Sequence, residues 1–177
     1  MKNLVQRDAM TPKPSKIMPD TTSDFDLEQF LPYLLNQAAE ATSHGFHAAY
    51  RDRYGMTRTQ WRVLANLGKF GAMTARDICA ISHIEKTKVS RAISALENDQ
   101  ILTRTTSDQD RRVEILSLTA KGMAVFADLG QLAIAYDAAL RASLRARLGP
   151  GQAAQLDGFL QLLKSLSPPV APVQQKK

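Results

Sequence analysis

Cysteine is almost missing from this chain. The single Cys79 among 177 residues cannot close an internal disulfide and offers no thiolate cluster for zinc. Histidine is nearly as scarce: His44 and His47 make one close pair, but no Asp or Glu completes a ligand set around them, so neither a metal nor a cofactor is expected. There is no glycine-rich loop to cradle phosphate, no pair of carboxylates at a hairpin or helix end, and no serine or cysteine nucleophile with a placed histidine. The chain is therefore not expected to be an enzyme. No unbroken apolar run approaches the roughly eighteen residues of a membrane span, and the N-terminus lacks the apolar core of a secretory signal. A cytoplasmic protein with no membrane partner is expected.

What is present is ordinary globular material, 44% hydrophobic and 23% charged, in a length that suits one domain with a core of its own. The net charge of +6 favours an anionic partner. Its distribution is uneven: the segment 58–121 holds +4 of it.

Prolines 12, 14 and 19 among scattered polar residues mark 1–23 as a flexible arm, and three prolines ahead of Lys176 and Lys177 mark 168–177 as a disordered tail. Between them, Leu27, Phe30, Leu31, Leu34, Leu35 and Ala38 open the spacing of a long amphipathic helix, which Gly55 ends. Pro32 fits its first turn. A second helix starts at Thr57 or Arg58, with Trp61, Leu64, Ala65 and Leu67 inward, and closes at Gly68 and the Gly71 turn. Thr74 caps a third helix over 75–81, with Ile78 inward. A fourth runs over 86–99 with Val89, Ala92, Ile93 and Leu96 on its inner face.

Two β-prone runs, 101–104 and 113–118, flank a polar stretch and predict a hairpin with a charged tip. Thr119 then caps a helix of about eight turns, with Leu118 and Met123 spaced for a hydrophobic staple. Gly149 and Pro150 interrupt it. A last helix over 151–166 is expected to bury Leu156, Phe159, Leu160, Leu163 and Leu166.

The pattern is mainly α with a small β-hairpin wing, a winged helix-turn-helix with N- and C-terminal helices forming a dimerisation domain. The expected divisions are the arm 1–23, a first dimerisation helix over 24–56, the winged lobe 57–118, C-terminal dimerisation helices over 119–167 and the tail 168–177. The terminal stripes carry more apolar surface than the central lobe covers, and a second copy of the chain is the expected cover.

Three pieces stand in order along the chain: Thr59-Gln60-Trp61-Arg62-Val63-Leu64, the run from Val89 to Glu97, and Asp110-Arg111-Arg112 leading to Leu118-Thr119-Ala120-Lys121-Gly122. With their order and spacing, the sequence over about 30–166 resembles the MarR family of bacterial transcription regulators. One departure is Asn98-Asp99-Gln100-Ile101, where many relatives have a glycine before the wing; a left-handed Asn98 would replace it.

The resemblance places the fourth helix in the major groove of double-stranded DNA, and its chemistry agrees. Lys86, Thr87, Lys88, Ser90 and Arg91 crowd its N-terminal half, where the helix dipole also favours phosphate. Family pattern maps a minor-groove arginine onto Arg112, oriented by Asp110, with Arg111 beside it. It further implies a repressor released from a pseudo-palindromic operator by a small effector, such as an aromatic carboxylate or its coenzyme A thioester. The candidate effector residues are His44, His47, Arg51, Tyr54, Trp61 and Arg62. Trp61 equally satisfies a plain core position, and Cys79 reads as buried rather than redox-active. The alternative to a DNA-binding regulator is a winged-helix protein-interaction module without specific DNA binding.

Overall fold

The computed structural model describes residues 25–107, 110–149 and 151–166. The expected arm lies outside the described residues, as do the whole of the expected tail, Asp108 and Gln109 in the wing, and Pro150. The chain divides into two units, 1–38 and 39–177, each taken by itself below.

In the first unit, Asp26 caps a short 3-10 turn, Leu27–Gln29, by accepting from the Glu28 amide at 2.9 Å. Helix α1, Leu31–Tyr54, begins here with Pro32 in its opening turn. There the ring costs no hydrogen bond, because the first amides of a helix have no intrahelical acceptor. Phe25 and Phe30 meet edge to face at 5.4 Å, and both stay exposed together with Leu27, Leu31 and Leu34.

The second unit holds the rest of α1 and five more helices. These are α2 (Arg58–Phe70), α3 (Ala75–Ser82), α4 (Lys86–Asn98), α5 (Ala120–Leu148) and α6 (Ala153–Leu166). Strands β1 (Leu102–Thr106) and β2 (Glu114–Leu118) pair antiparallel in the register Leu102↔Leu118 to Thr106↔Glu114. Strand β1 starts one residue and ends two residues later than expected, while β2 starts one residue later and ends at Leu118 as expected. A third strand position, absent from the sequence reading, is supplied by Met73, whose amide and carbonyl both bond to Leu116, at 3.1 and 2.9 Å.

Helix starts follow local chemistry. Thr57 with Gln60, and Thr74 with Asp77, form reciprocal capping boxes on α2 and α3, and Thr119 accepts from the Gly122 amide at 3.0 Å on α5. The staple is another matter, because Met123 stays half exposed.

Helix α2 does not stop at Gly68. It runs through to Phe70 and ends at Gly71, whose φ of +80° breaks it. Gly68 is inside the helix because Phe126 of α5 packs where its Cβ would stand, so this glycine serves close approach rather than termination. The inward face of α2 is also turned from the expected one. Gln60, Val63, Leu64 and Leu67 are buried, while Trp61 and Ala65 are half-buried.

At the end of α4 the left-handed residue is Gln100, φ +60°, not Asn98, which is still helical. The Gln100 amide bonds to the Glu97 carbonyl and the Ile101 amide to the Leu96 carbonyl, at 2.9 and 2.8 Å. These two bonds make a Schellman closure, and Lys121 covers the Asp99 carbonyl at 2.7 Å.

The core lies where α2, α4, the hairpin and the start of α5 meet. Val63, Leu64, Ile78, Val89, Leu96 and Leu129 are wholly enclosed there. Farther along, α5 emerges: Ile134 and Leu148 are exposed. By length and composition α5 is long and apolar enough to cross a bilayer. The expectation drawn from unbroken apolar runs missed this, because polar residues interrupt a helix that is apolar on average. The helix nevertheless packs on α2, β2 and α6, and both of its acids are ion-paired, Asp128 to Arg53 and Asp137 to Arg141, each at 2.6 Å. Among the described residues of α6 only Leu156 is buried. Leu160 and Leu163 are half-buried, and Phe159 and Leu166, expected inside, are exposed along with Leu162.

Candidate nucleic-acid interface and effector cavity

The α3–α4 turn sets where α4 points. His83 takes a left-handed conformation, φ +51°, and Ser82 before it is buried. Two α2 side chains hold this turn from beneath: Arg62 donates to the Ser82 carbonyl at 2.8 Å, and Asn66 to the Ser82 hydroxyl at 3.0 Å.

From this anchor α4 presents Lys86, Thr87, Lys88, Ser90 and Arg91 outward, all exposed, while Val89, Ala92, Ile93 and Leu96 face the core. Unlike α2, α3 and α5, α4 has no side-chain cap. Its preceding Glu85 carboxylate instead lies 3.4 Å from the Lys88 ammonium. The first-turn amides are thus left to an external acceptor, beside three cationic side chains.

The hairpin is tied to α4 by Arg104, a residue the sequence reading did not single out. Its guanidinium bonds Glu97 at 2.8 Å and Glu114 at 3.1 Å, and reaches Ser94 at 3.2 Å. A β-strand arginine flanked in space by two acids gives no short-range signal, since its partners lie seven and ten positions away. At the tip, Asp110, Arg111 and Arg112 are exposed. The Asp110 carboxylate accepts from the Arg112 backbone amide at 2.9 Å, so it orders the backbone that carries Arg112.

The second feature is a cavity of about 590 Å³ between the second half of α1, α2 and α5. Phe46, Tyr50, Trp61 and Tyr136 supply aromatic wall, and Tyr50 and Trp61 lie nearly parallel with centroids 6.1 Å apart. Arg58 and Arg62 bring positive charge to it, and Thr42 and Ser43 line it with polar groups. Arg58 is compensated: Glu40 takes two bonds at 2.7 Å and Ser43 one at 3.1 Å. The hydrogen bonds and charge of Arg58 hold the Glu40 carboxyl below its ordinary value. Burial pushes the Tyr50 phenol up. Burial, and then the Arg58 charge, push Arg62 below the ordinary arginine value.

Of the expected effector residues, the structure brings Trp61 and Arg62 to this cavity. His44 and His47, with ring centroids 5.9 Å apart, line a smaller adjoining hollow with Glu40 and Arg58. Arg51 and Tyr54 lie elsewhere, because their partners draw them away. Arg51 pairs with Asp52 at 2.9 Å, and the Tyr54 hydroxyl donates to Asp128 at 2.9 Å. Arg58 and Tyr136 were missed. Arg58 shares a helix face with Trp61 and Arg62 by its spacing, which is the signal that would have found it; Tyr136 is far away in sequence. Cys79 is half-buried against the core.

A helix-turn-helix followed by a two-stranded wing, with a third strand position completing the sheet, defines a winged helix domain. Residues 54–113 match the MarR family. The chain is 34% identical over 71 residues to the HTH-type transcriptional repressor MdtR of Bacillus subtilis. That match covers 40% of this chain and 46% of the relative, about half the length of that curated protein. Its fold matches the MarR family transcriptional regulator SPO1453 from Silicibacter pomeroyi at a TM-score of 0.66 and 28% identity, over 81% of this chain and 98% of that one. It also matches Bordetella bronchiseptica BpsR, a protein whose DNA binding is regulated by 6-hydroxynicotinic acid, at a TM-score of 0.65 and 21% identity, over 82% of this chain and 98% of that one. MdtR and SPO1453 are transcriptional regulators, not enzymes.

Proposed function

We propose that this protein is a sequence-specific DNA-binding repressor that works as a homodimer and leaves a pseudo-palindromic operator when a small aromatic or anionic effector fills the cavity. The observation that carries the reading is the exposed basic half of α4, uncapped at its start, joined through Arg104 to a wing tipped by Arg111 and Arg112. Lys88 and Arg91 suit guanine O6 and N7, whereas Thr87 and Ser90 suit phosphate or a thymine methyl. A guanidinium at the wing tip suits a narrow, A·T-rich minor groove.

The apolar surface left over supports two copies. Ile134 on α5 and Phe159, Leu162 and Leu166 on α6 are exposed, and a twofold partner covering them pairs two recognition helices about one turn, roughly 10 bp, apart. The cavity supports the effector. Aromatic walls with two arginines and two hydroxyl-bearing side chains fit a flat ring bearing a negative charge, an aromatic carboxylate or its thioester.

Fluorescence anisotropy of labelled duplex, titrated over a series of salt concentrations beside sedimentation of the free protein, tests this. Dimers with a steep salt dependence are expected. A protein-interaction module would show a salt slope near zero.

A further inference from the structure

We infer that Arg62 couples the cavity to the recognition helix: an anionic group seated in the cavity engages its guanidinium, draws it from the Ser82 carbonyl and so loosens the turn that positions α4. The inference rests on the cavity being the effector site.

The two cavity arginines are not equivalent. Arg58 already has a carboxylate, Glu40, on two bonds of 2.7 Å and a hydroxyl besides. Arg62 makes no ion pair among the described residues; its bond is to a neutral backbone carbonyl, Ser82, at 2.8 Å. A half-buried cation without a counter-charge is the stronger attractor for an incoming anion. The Ser82 carbonyl offers the guanidinium one neutral oxygen, whereas a carboxylate brings a full opposite charge and two acceptors that match the guanidinium fork, so it competes successfully with Ser82.

What Ser82 loses matters because the turn is under load. His83 holds a left-handed backbone, which is unfavourable for a residue with a Cβ, and α4 starts three positions later at Lys86. With Arg62 withdrawn, Asn66 alone holds Ser82 from α2. The effector then favours the loosened turn over the anchored one, which is the differential affinity any such switch requires.

Trp61 makes the test direct, since it is the sole tryptophan and lines the same cavity. The full chain is titrated with benzoate, and with benzamide as its uncharged counterpart. Trp61 emission and anisotropy on an operator fragment selected by the same protein are read together. Benzoate is expected to change the emission and weaken DNA binding about fivefold or more, and benzamide to do neither.

Arg62→Met is expected to bind DNA several-fold more weakly without benzoate and to ignore it when added. Arg62→Lys, which keeps the charge and the bulk, is expected to keep the emission change while losing the DNA response. Asn66→Ala, loosening the same turn without lining the cavity, is expected to weaken DNA binding and retain the full emission change. Wild-type-like release of either Arg62 variant by benzoate overturns the coupling and leaves the effector cavity standing. Silence of wild-type Trp61 towards benzoate overturns both.

Discussion

The Tyr136 hydroxyl donates to the Thr42 carbonyl at 2.7 Å, and the same ring occupies the space where a side chain on Gly45 would begin. Ninety-four positions apart in sequence, α1 and α5 meet here because one of them has no Cβ. Tyr136 is held further by Phe46, its centroid 5.5 Å away, so it has little room to yield. Gly45→Ala is therefore expected to destabilise the protein. Overpacking costs about 1–3 kcal/mol, which outweighs the roughly 1 kcal/mol a helix gains from replacing glycine. Denaturant unfolding of Gly45→Ala, alone and with Tyr136→Phe, checks this, and the double variant is expected to recover part of the loss.

Gln100 makes a substitution in the opposite direction favourable. It sits at φ +60° in the Schellman closure of α4, where a side chain costs about 1–2 kcal/mol and glycine instead costs about 0.5–1 kcal/mol of unfolded-chain entropy. Gln100→Gly is expected to raise stability by roughly 0.5–1 kcal/mol, the difference between those terms. A raised urea midpoint with an unchanged slope is the expected readout.

At the wing, Arg112 is exposed and its backbone amide is ordered by Asp110. Arg112→Ala is expected to weaken operator binding by about 1–3 kcal/mol without altering the unfolding midpoint. Anisotropy titration at one fixed salt concentration checks it, and an unchanged affinity would remove Arg112 from the interface.

Asp128 gives a pH signature. Hydrogen bonds from Arg53, then from Tyr54, hold its carboxyl below the ordinary value of 3.8. A carboxyl lowered by folding contributes stability that is complete above its unfolded value and is lost as pH falls through the lower folded one. The stability gap between wild type and Asp128→Asn is thus expected to be constant from neutrality to about pH 5 and to shrink below about pH 4. Thermal unfolding across that range measures it. The salt bridge is solvent-accessible, so the effect is expected to be small and to weaken with added salt.

How much of this was legible in the sequence depends on the range of the interaction concerned. Thr57, Thr74 and Thr119 announced helix starts, because a cap acts within three residues. The basic face of α4 was legible because its apolar face, Val89 to Leu96, has helical period. Longer-range facts escaped. Gly68 looked like a stop because Phe126, which explains it, comes 58 positions later. The left-handed residue was misplaced from Gln100 to Asn98 because composition favours asparagine, while the hydrogen bonds of Gln100 and Ile101 decide. Arg51 and Tyr54 share a helix with the cavity residues, but Asp52 and Asp128 claim them. Arg58, in turn, was passed over although it stands one helical turn before Trp61 and Arg62.

Two copies of this chain are proposed to read duplex DNA through α4 and the wing. Selection of genomic fragments by the purified protein, against an excess of random competitor at fixed salt, tests it most directly. Fragments sharing an inverted repeat with half-sites about one helical turn, roughly 10 bp, apart are expected to be enriched. Recovery of no fragment above the competitor would contradict it.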